Sequence, residues 1–296
     1  MNRFSKRTQA ELSMLMVAFI WGATFVVVKD ALRDIGPFLF LGLRFILAFL
    51  ALAVLSFENI RKLRPGTWAS GALLGLFLFI GYVNQTIGLK YTTASNAGFI
   101  TGFSVILVPI IYCLINRCWP SFRTVVTVVT AAAGLFLLSF QGKTLSLALG
   151  DFLVLICAFG FAFHIVFVDR YSHQHNAVAI TGVQILFTGV LCLSIGLVVE
   201  PWPVHFSGQA LLAIAVTALL ATALAFLAQN YLQKFSTPTR FAIVLTTEPV
   251  FAAVTAYFLG GEMLSRQGMA GGGLIVLSML ISILTRREKN LVEANV

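Results

Sequence analysis

Between Pro37 and Ser56 the chain reads PFLFLGLRFILAFLALAVLS, with Arg44 as its one charge. Runs of this kind recur along the whole length, at 11–28, 37–56, 67–88, 95–115, 122–140, 149–168, 177–198, 209–231, 240–259 and 268–285. Each covers about 17–23 residues, the length an α-helix needs to cross roughly 30 Å of hydrocarbon at about 1.5 Å per residue. The runs are continuously apolar. A transmembrane β-barrel would instead alternate apolar and polar residues over about 10 positions. The predicted fold is therefore all-α and integral to the membrane, with ten transmembrane helices joined by short connections.

Composition agrees. Charged residues make up 10% of the chain and hydrophobic residues 59%, whereas a soluble domain carries about 25% charged residues. The net charge of +9 does not indicate nucleic acid, because the basic residues are spread over short loops and form no face. Cys113, Cys118, Cys157 and Cys192 form no CxxC pair. They read as packing residues, and disulfides are not expected. No HExxH or Cys/His spacing supports a metal site, no cofactor is implied, and no GxxxxGK[ST] loop is present for ATP.

Arg3, Lys6 and Arg7 resemble the basic start of a signal peptide. The apolar run that follows reaches Val28 and ends at Lys29-Asp30 without an A-x-A site, so a retained helix is the reading. With the N-terminus in the cytoplasm, the inside segments hold Arg3, Lys6, Arg7, Arg61, Lys62, Arg64, Arg117, Arg123, Arg170, Lys234, Arg240, Arg286, Arg287 and Lys289. The outside segments hold Lys29, Arg33, Lys90, Lys143 and Arg266. That excess places both termini in the cytoplasm by the positive-inside rule.

The chain also repeats itself. QTIGLKYTT at 85–93 returns as QNYLQKFST at 229–237, and AFIWGATFVVVKD from Ala18 returns as AFGFAFHIVFVDR from Ala158. Pro109 falls on Pro249, and AAGLFLLS from Ala132 falls on GGGLIVLS from Gly271. The order is kept and the offset stays near 140. Residues 1–143 and 144–296 thus read as two five-helix copies. Five is odd, so the second copy enters the membrane from the opposite side. Inverted repeats of this kind build many secondary transporters, with a site near the midplane between them. The alternative is that duplication only makes a stable bundle.

Four strings, in this order and spacing, carry a resemblance: FIWGATFVVVK at 19–29, LRFILA at 43–48, LKYTTASNAGFITGFSVILVP at 89–109 and LTTEPVFAAVTAYFLGGE at 245–262. Over nearly its whole length the chain resembles the ten-helix EamA-type members of the drug/metabolite transporter superfamily. The resemblance implies two inverted five-helix repeats and export or uptake of small organic metabolites. It also implies a cavity lined mainly by segments 1, 3, 4, 6, 8 and 9.

Intramembrane polar and ionisable groups are costly to insert and are the default functional candidates. Glu248, directly before Pro249, would bind a cationic substrate group or exchange a proton; the structural alternative is a paired carboxyl that anchors helix packing. Pro109 and Pro249 each remove a backbone hydrogen bond and are candidate gating kinks, though proline is also common in membrane helices. Arg44 reads as a structural charge that snorkels or pairs with a carboxylate; its repeat mate Gln184 is uncharged. His164, the repeat mate of Thr24, is either a packing residue or a proton relay. Trp21, Thr24 and Phe25 share one helix face and suit a planar or apolar solute, or simply pack. Tyr82, Asn84 and Gln85, with Gln229 and Asn230 in the other half, offer hydrogen bonds to a solute or across helices. Asn96, Thr101 and Ser104 add polar groups. Gly71/Gly75, Gly98/Gly102 and Gly268/Gly272 allow close helix approach.

The expectation is a secondary transporter of the inner or plasma membrane. It would move an amino-acid-like or aromatic, nucleobase-like solute, in the direction of export, by alternating access. Its partners would be that solute, membrane lipids and, if transport is coupled, protons; monomer and homodimer both stay open. A nucleotide-sugar or phosphosugar antiporter would need several intramembrane cations for phosphate, and only Arg44 is present. A membrane-embedded enzyme would need paired Asp, HExxH or Ser/Lys constellations, and none is visible.

Overall fold

The computed structural model describes residues 6–58, 64–92, 94–139, 149–203, 205–260 and 265–284. Among the described residues every regular element is helical. These are α1 (Lys6–Ala31), α2 (Pro37–Leu55), α3 (Pro65–Tyr91), α4 (Ala94–Gly102), α5 (Ser104–Asn116), α6 (Phe122–Ser139), α7 (Leu149–Ser172), α8 (Ala177–Val199), α9 (Gly208–Ala218), α10 (Ala225–Leu232), α11 (Pro238–Leu245), α12 (Glu248–Gly260) and α13 (Arg266–Leu284). A π-helical stretch, Leu219–Leu224, joins α9 to α10. Among the described residues seven helical stretches are long and apolar enough to cross a membrane, and shorter apolar helices cover 100–116 and 122–137. The 143/144 boundary and the basic residues at 59–63 and 285–296 lie outside the described residues.

Helix starts follow local chemistry. Pro37 opens α2, where a missing N–H costs nothing. Its free amides at Phe38 and Leu39 donate to the Glu200 carboxylate at 3.0 and 2.9 Å. The negative charge also suits the positive end of the helix dipole. The Asn176 side chain caps α8 by accepting from Val178 and Ala179.

Two apolar runs expected as single helices are broken. The run 95–115 divides at Phe103, whose N–H bonds Ile100 three residues back. The run 240–259 divides at Thr246–Thr247. Here Pro249 has no N–H to offer the Leu245 carbonyl four residues earlier. Thr246 Oγ1 bonds Ile243 O at 2.5 Å and Thr247 Oγ1 bonds Val244 O at 2.7 Å, so hydroxyls satisfy the last turn of α11. The two prolines therefore sit differently. Pro249 lies in the first turn of α12, whereas Pro109 lies inside α5, six residues beyond its break.

Many of the packing pairs correspond when α1–α6 are matched with α7–α13. α3 packs on α7, and α1 on α9 and α10. α3 also packs on α8, and α2 on α9. α1 packs on α12, and α7 on α4 and α5. The pairs α2–α8, α6–α13 and α5–α11 map onto themselves. Close crossings need glycine. A β-carbon on Gly22 would fall 2.5 Å from the Glu248 carbonyl oxygen, and one on Gly75 would fall 2.8 Å from the Gln184 carbonyl oxygen. The first brings α1 against the broken start of α12, beside an internal opening.

Candidate functional site

That opening is a cavity with an atom-free volume of about 890 Å³, mouth included. Each helix contributes one face. α1 supplies Trp21, Thr24 and Phe25, at spacings of three and four residues that share a side. α3 supplies Tyr82 and Gln85, and α7 supplies Phe161, His164 and Ile165. Phe226 and Gln229 come from α10, Thr101 from α4, and Ser104 from the start of α5. The break between α11 and α12 opens Leu245, Thr246, Glu248 and Pro249 to the cavity, and α2 contributes Arg44.

The lining is paired by the sequence repeat. Trp21 and Phe161, Thr24 and His164, and Phe25 and Ile165 are equivalent positions at an offset of 140, and all six line the cavity. So do Tyr82 with Phe226 and Gln85 with Gln229, at an offset of 144. The charges break that pairing. Arg44 lines the cavity, while its mate Gln184 lies behind His164, with Gln184 Oε1 3.1 Å from His164 Nε2.

Arg44 is 4% exposed and neither snorkels nor meets a carboxylate among the described residues. Its Nε donates to Thr222 Oγ1 at 2.7 Å, and a terminal nitrogen donates to the Ala221 carbonyl at 3.3 Å. Its guanidinium lies 4.8 Å from the Tyr82 ring centre and 5.6 Å from that of Phe45, within cation–π range. Both oxygen acceptors come from the π-helical stretch. The Ala221 carbonyl there also accepts from Trp21 Nε1 at 2.8 Å. One irregular turn thus fixes an aromatic wall and the only cavity cation among the described residues. Nothing in the apolar string LLATAL marks that turn in the sequence.

Glu248 faces the same cavity, and its carboxyl makes no hydrogen bond or ion pair with a described residue. Gln85 Nε2 donates to Thr101 Oγ1 at 3.1 Å. Gln229 reaches Gln233 Oε1 at 3.4 Å through its nitrogen, and its own buried oxygen has no partner among the described residues. The cavity therefore offers a guanidinium, a carboxyl group, amides and aromatic walls together.

Other expected residues lie elsewhere. Asn84 donates to the Ile80 carbonyl within α3 and does not line the cavity. Asn230 is fully buried, donating to Thr181 Oγ1 at 3.1 Å and to the Phe226 carbonyl at 2.8 Å. Asn96 belongs to α4, with its side chain outside the described residues. Pro109 stands away from the cavity. Phe161 and Phe226 were not singled out as site residues, although the repeat pairs them with Trp21 and Tyr82.

A second symmetric feature lies at the helix ends. Glu11, near the start of α1, is fully buried and accepts from Ser236 Oγ at 2.6 Å and Arg240 Nε at 2.8 Å, with Arg7 Nε at 3.8 Å. Its repeat mate Asp151, near the start of α7, accepts from Thr92 Oγ1 at 2.5 Å. Thr92 and Ser236 are the equivalent residues of the strings QTIGLKYTT and QNYLQKFST.

Comparison with known proteins bears on what this architecture serves. The model of the EamA-like transporter family matches residues 8–140 and again 148–284. An uncharacterized transporter of Archaeoglobus fulgidus is 35% identical over 277 residues, covering 93% of this chain and 86% of the relative. The uncharacterized transporter YvbV of Bacillus subtilis is 26% identical over 96% of this chain and 94% of its own length. The uncharacterized inner membrane transporter YedA of Escherichia coli K12 is 25% identical over 91% and 89%. A solved crystal structure superposes with a TM-score of 0.77 at 17% identity, covering 93% of this chain and 96% of the other; that likeness shows the fold.

Proposed function

Because the chain belongs to the EamA-like transporter family and is a multi-pass membrane protein, we propose that it is a secondary transporter of the inner or plasma membrane, exporting a small organic solute by alternating access. The solute is amino-acid-like or an aromatic, nucleobase-like metabolite. The observation that carries this reading is the cavity. Its aromatic and amide lining comes from equivalent positions of both halves, and it holds one guanidinium and one carboxyl with no ion pair between them. A buried charge without a counterion is costly, so a solute bearing both signs gains by supplying the missing partners. Stacking on Trp21, Phe161 or Phe226 would serve a planar group.

In this reading, residues 1–143 and 144–296 are inverted five-helix repeats, ten spanning segments in all, with both termini in the cytoplasm. The corresponding packing pairs support the duplication, and the broken runs before α5 and α12 resemble the discontinuous helices at transporter binding sites. The Glu11–Ser236 and Asp151–Thr92 contacts close opposite ends, and alternating access consists of releasing one while keeping the other. A phosphosugar antiporter fits less well, since a phosphate calls for several cations and Arg44 is the one the cavity presents among the described residues.

The test is transport by the purified protein in liposomes, screening radiolabelled amino acids, nucleobases and sugars with and without a pH gradient. We expect saturable uptake of an amino acid or nucleobase, lost or uncoupled from the gradient in Glu248→Gln. Wild-type rate and pH dependence in that variant would remove Glu248 from the mechanism. Uptake of phosphorylated sugars alone would overturn the solute class.

A further inference from the structure

The four cysteines divide into two kinds. Cys157 and Cys192 are buried, as packing residues should be. Cys113 and Cys118 are both half-exposed, and their sulfurs lie 3.0 Å apart at the end of α5.

The backbone explains the meeting. α5 ends with Arg117 at φ 51° and ψ 44°, the one non-glycine residue with positive φ among the described residues. The left-handed turn folds the chain back over the helix end, and the Cys118 N–H donates to the Cys113 carbonyl at 3.0 Å. This is the Schellman arrangement, in which the residue after the left-handed one bonds back to the third residue from the cap and its side chain contacts that residue. Ordinarily the contact is between apolar side chains. Here both positions are cysteine, so the capping motif itself brings two thiols together. Pro120 follows and prevents the helix from continuing. A spacing of five residues on a straight helix would not place two side chains over one another.

We propose that Cys113 and Cys118 form a redox-active dithiol, oxidised reversibly to an intramolecular disulfide by a hydroperoxide. The thiolate of one cysteine attacks the terminal peroxide oxygen, breaks the O–O bond and becomes a sulfenic acid, releasing an alcohol. The second thiol then attacks the sulfenic sulfur, forming the S–S bond and expelling water. Two thiols and one hydroperoxide yield one disulfide, one alcohol and one water. The sulfurs must close by only about 1 Å to reach the roughly 2.05 Å of a disulfide. The product would staple the end of α5, the helix that packs on α7 and α11 beside the cavity.

The experiment treats the full-length protein in native membranes with tert-butyl hydroperoxide, then alkylates with iodoacetamide and analyses the peptide spanning 113–118 by mass spectrometry. We expect loss of both alkylations, a peptide two hydrogens lighter, and recovery of both alkylations after dithiothreitol. In Cys118→Ser, Cys113 should form no such product. The proposal is overturned if the wild-type peptide stays doubly alkylated after peroxide, is oxidised only to sulfinic or sulfonic acid, or is linked only between chains.

Discussion

Ser236 Oγ donates a 2.6 Å hydrogen bond to Glu11 Oε1, tying the segment after α10 to the start of α1. At the equivalent place in the other half, Thr92 Oγ1 donates to Asp151 Oδ1 at 2.5 Å. Glu11 also receives Arg240 Nε at 2.8 Å. A hydrogen bond to a charged group contributes about 1.5–3 kcal/mol, whereas removing one partner of a buried ion pair costs about 3–5 kcal/mol. Thermal unfolding in detergent should therefore rank Glu11→Ala as clearly more destabilising than Ser236→Ala. Thr92→Val should resemble Ser236→Ala. Equal melting temperatures for Glu11→Ala and Ser236→Ala would remove the ion pair from the account.

The contact between Arg44 and Thr222 permits a sharper test. Valine keeps the shape of threonine but leaves the Arg44 Nε, now 2.7 Å from an oxygen, without its acceptor. Thr222→Val should cost about 1.5–3 kcal/mol. Arg44→Lys should fare worse than a conservative exchange implies, because an ammonium cannot reach two acceptors with one planar fork. Stability of both variants within about 0.5 kcal/mol of wild type would mean that the π-helical turn does not hold this side chain.

His175 gives the protein a mild acid sensitivity at one end. Its ring nitrogens lie 3.2 Å from Thr67 Oγ1 and 3.0 Å from Ser70 Oγ, joining the α7–α8 connection to the start of α3. Burial lowers its pKa from the ordinary value. A folded-state pKa below the unfolded one means that stability is complete above about pH 6.5 and declines as pH falls from there toward the folded value. Melting temperature should drop between pH 7 and pH 5, and His175→Gln should flatten that drop. An unchanged slope in the variant would assign the effect elsewhere.

How much of this was legible in the sequence depended on whether the signal was periodic. The apolar runs fixed the helical limits to within a few residues, as 37–56 against Pro37–Leu55 illustrates. The breaks at Phe103 and Thr246–Thr247 lay inside those runs, where hydropathy is uniform and only Pro249 hinted at one of them. The repeat located much of the cavity in advance, since Gln85 with Gln229 and Trp21 with Phe161 are matched pairs. Asn84 and Asn230, which the repeat does not pair with each other, have amide chemistry but do not line the cavity. Arg44 was legible as a costly charge, yet its acceptors were not, because a π turn has no compositional mark. Glu11 and Asp151 were equally available as a pair at an offset of 140, but they lie at the polar edges of their runs, where acidic residues are commonplace.

The central claim is that one cavity is reached from both faces of the membrane in turn. Thr24 lines that cavity and is close in size to cysteine. On a background with the four native cysteines replaced, Thr24→Cys should be labelled by a membrane-impermeant thiol reagent applied to right-side-out vesicles and, separately, to inside-out vesicles. Labelling from both faces, slowed by a transported solute, is the result alternating access predicts. Labelling from one face only, at a rate no solute changes, would contradict it.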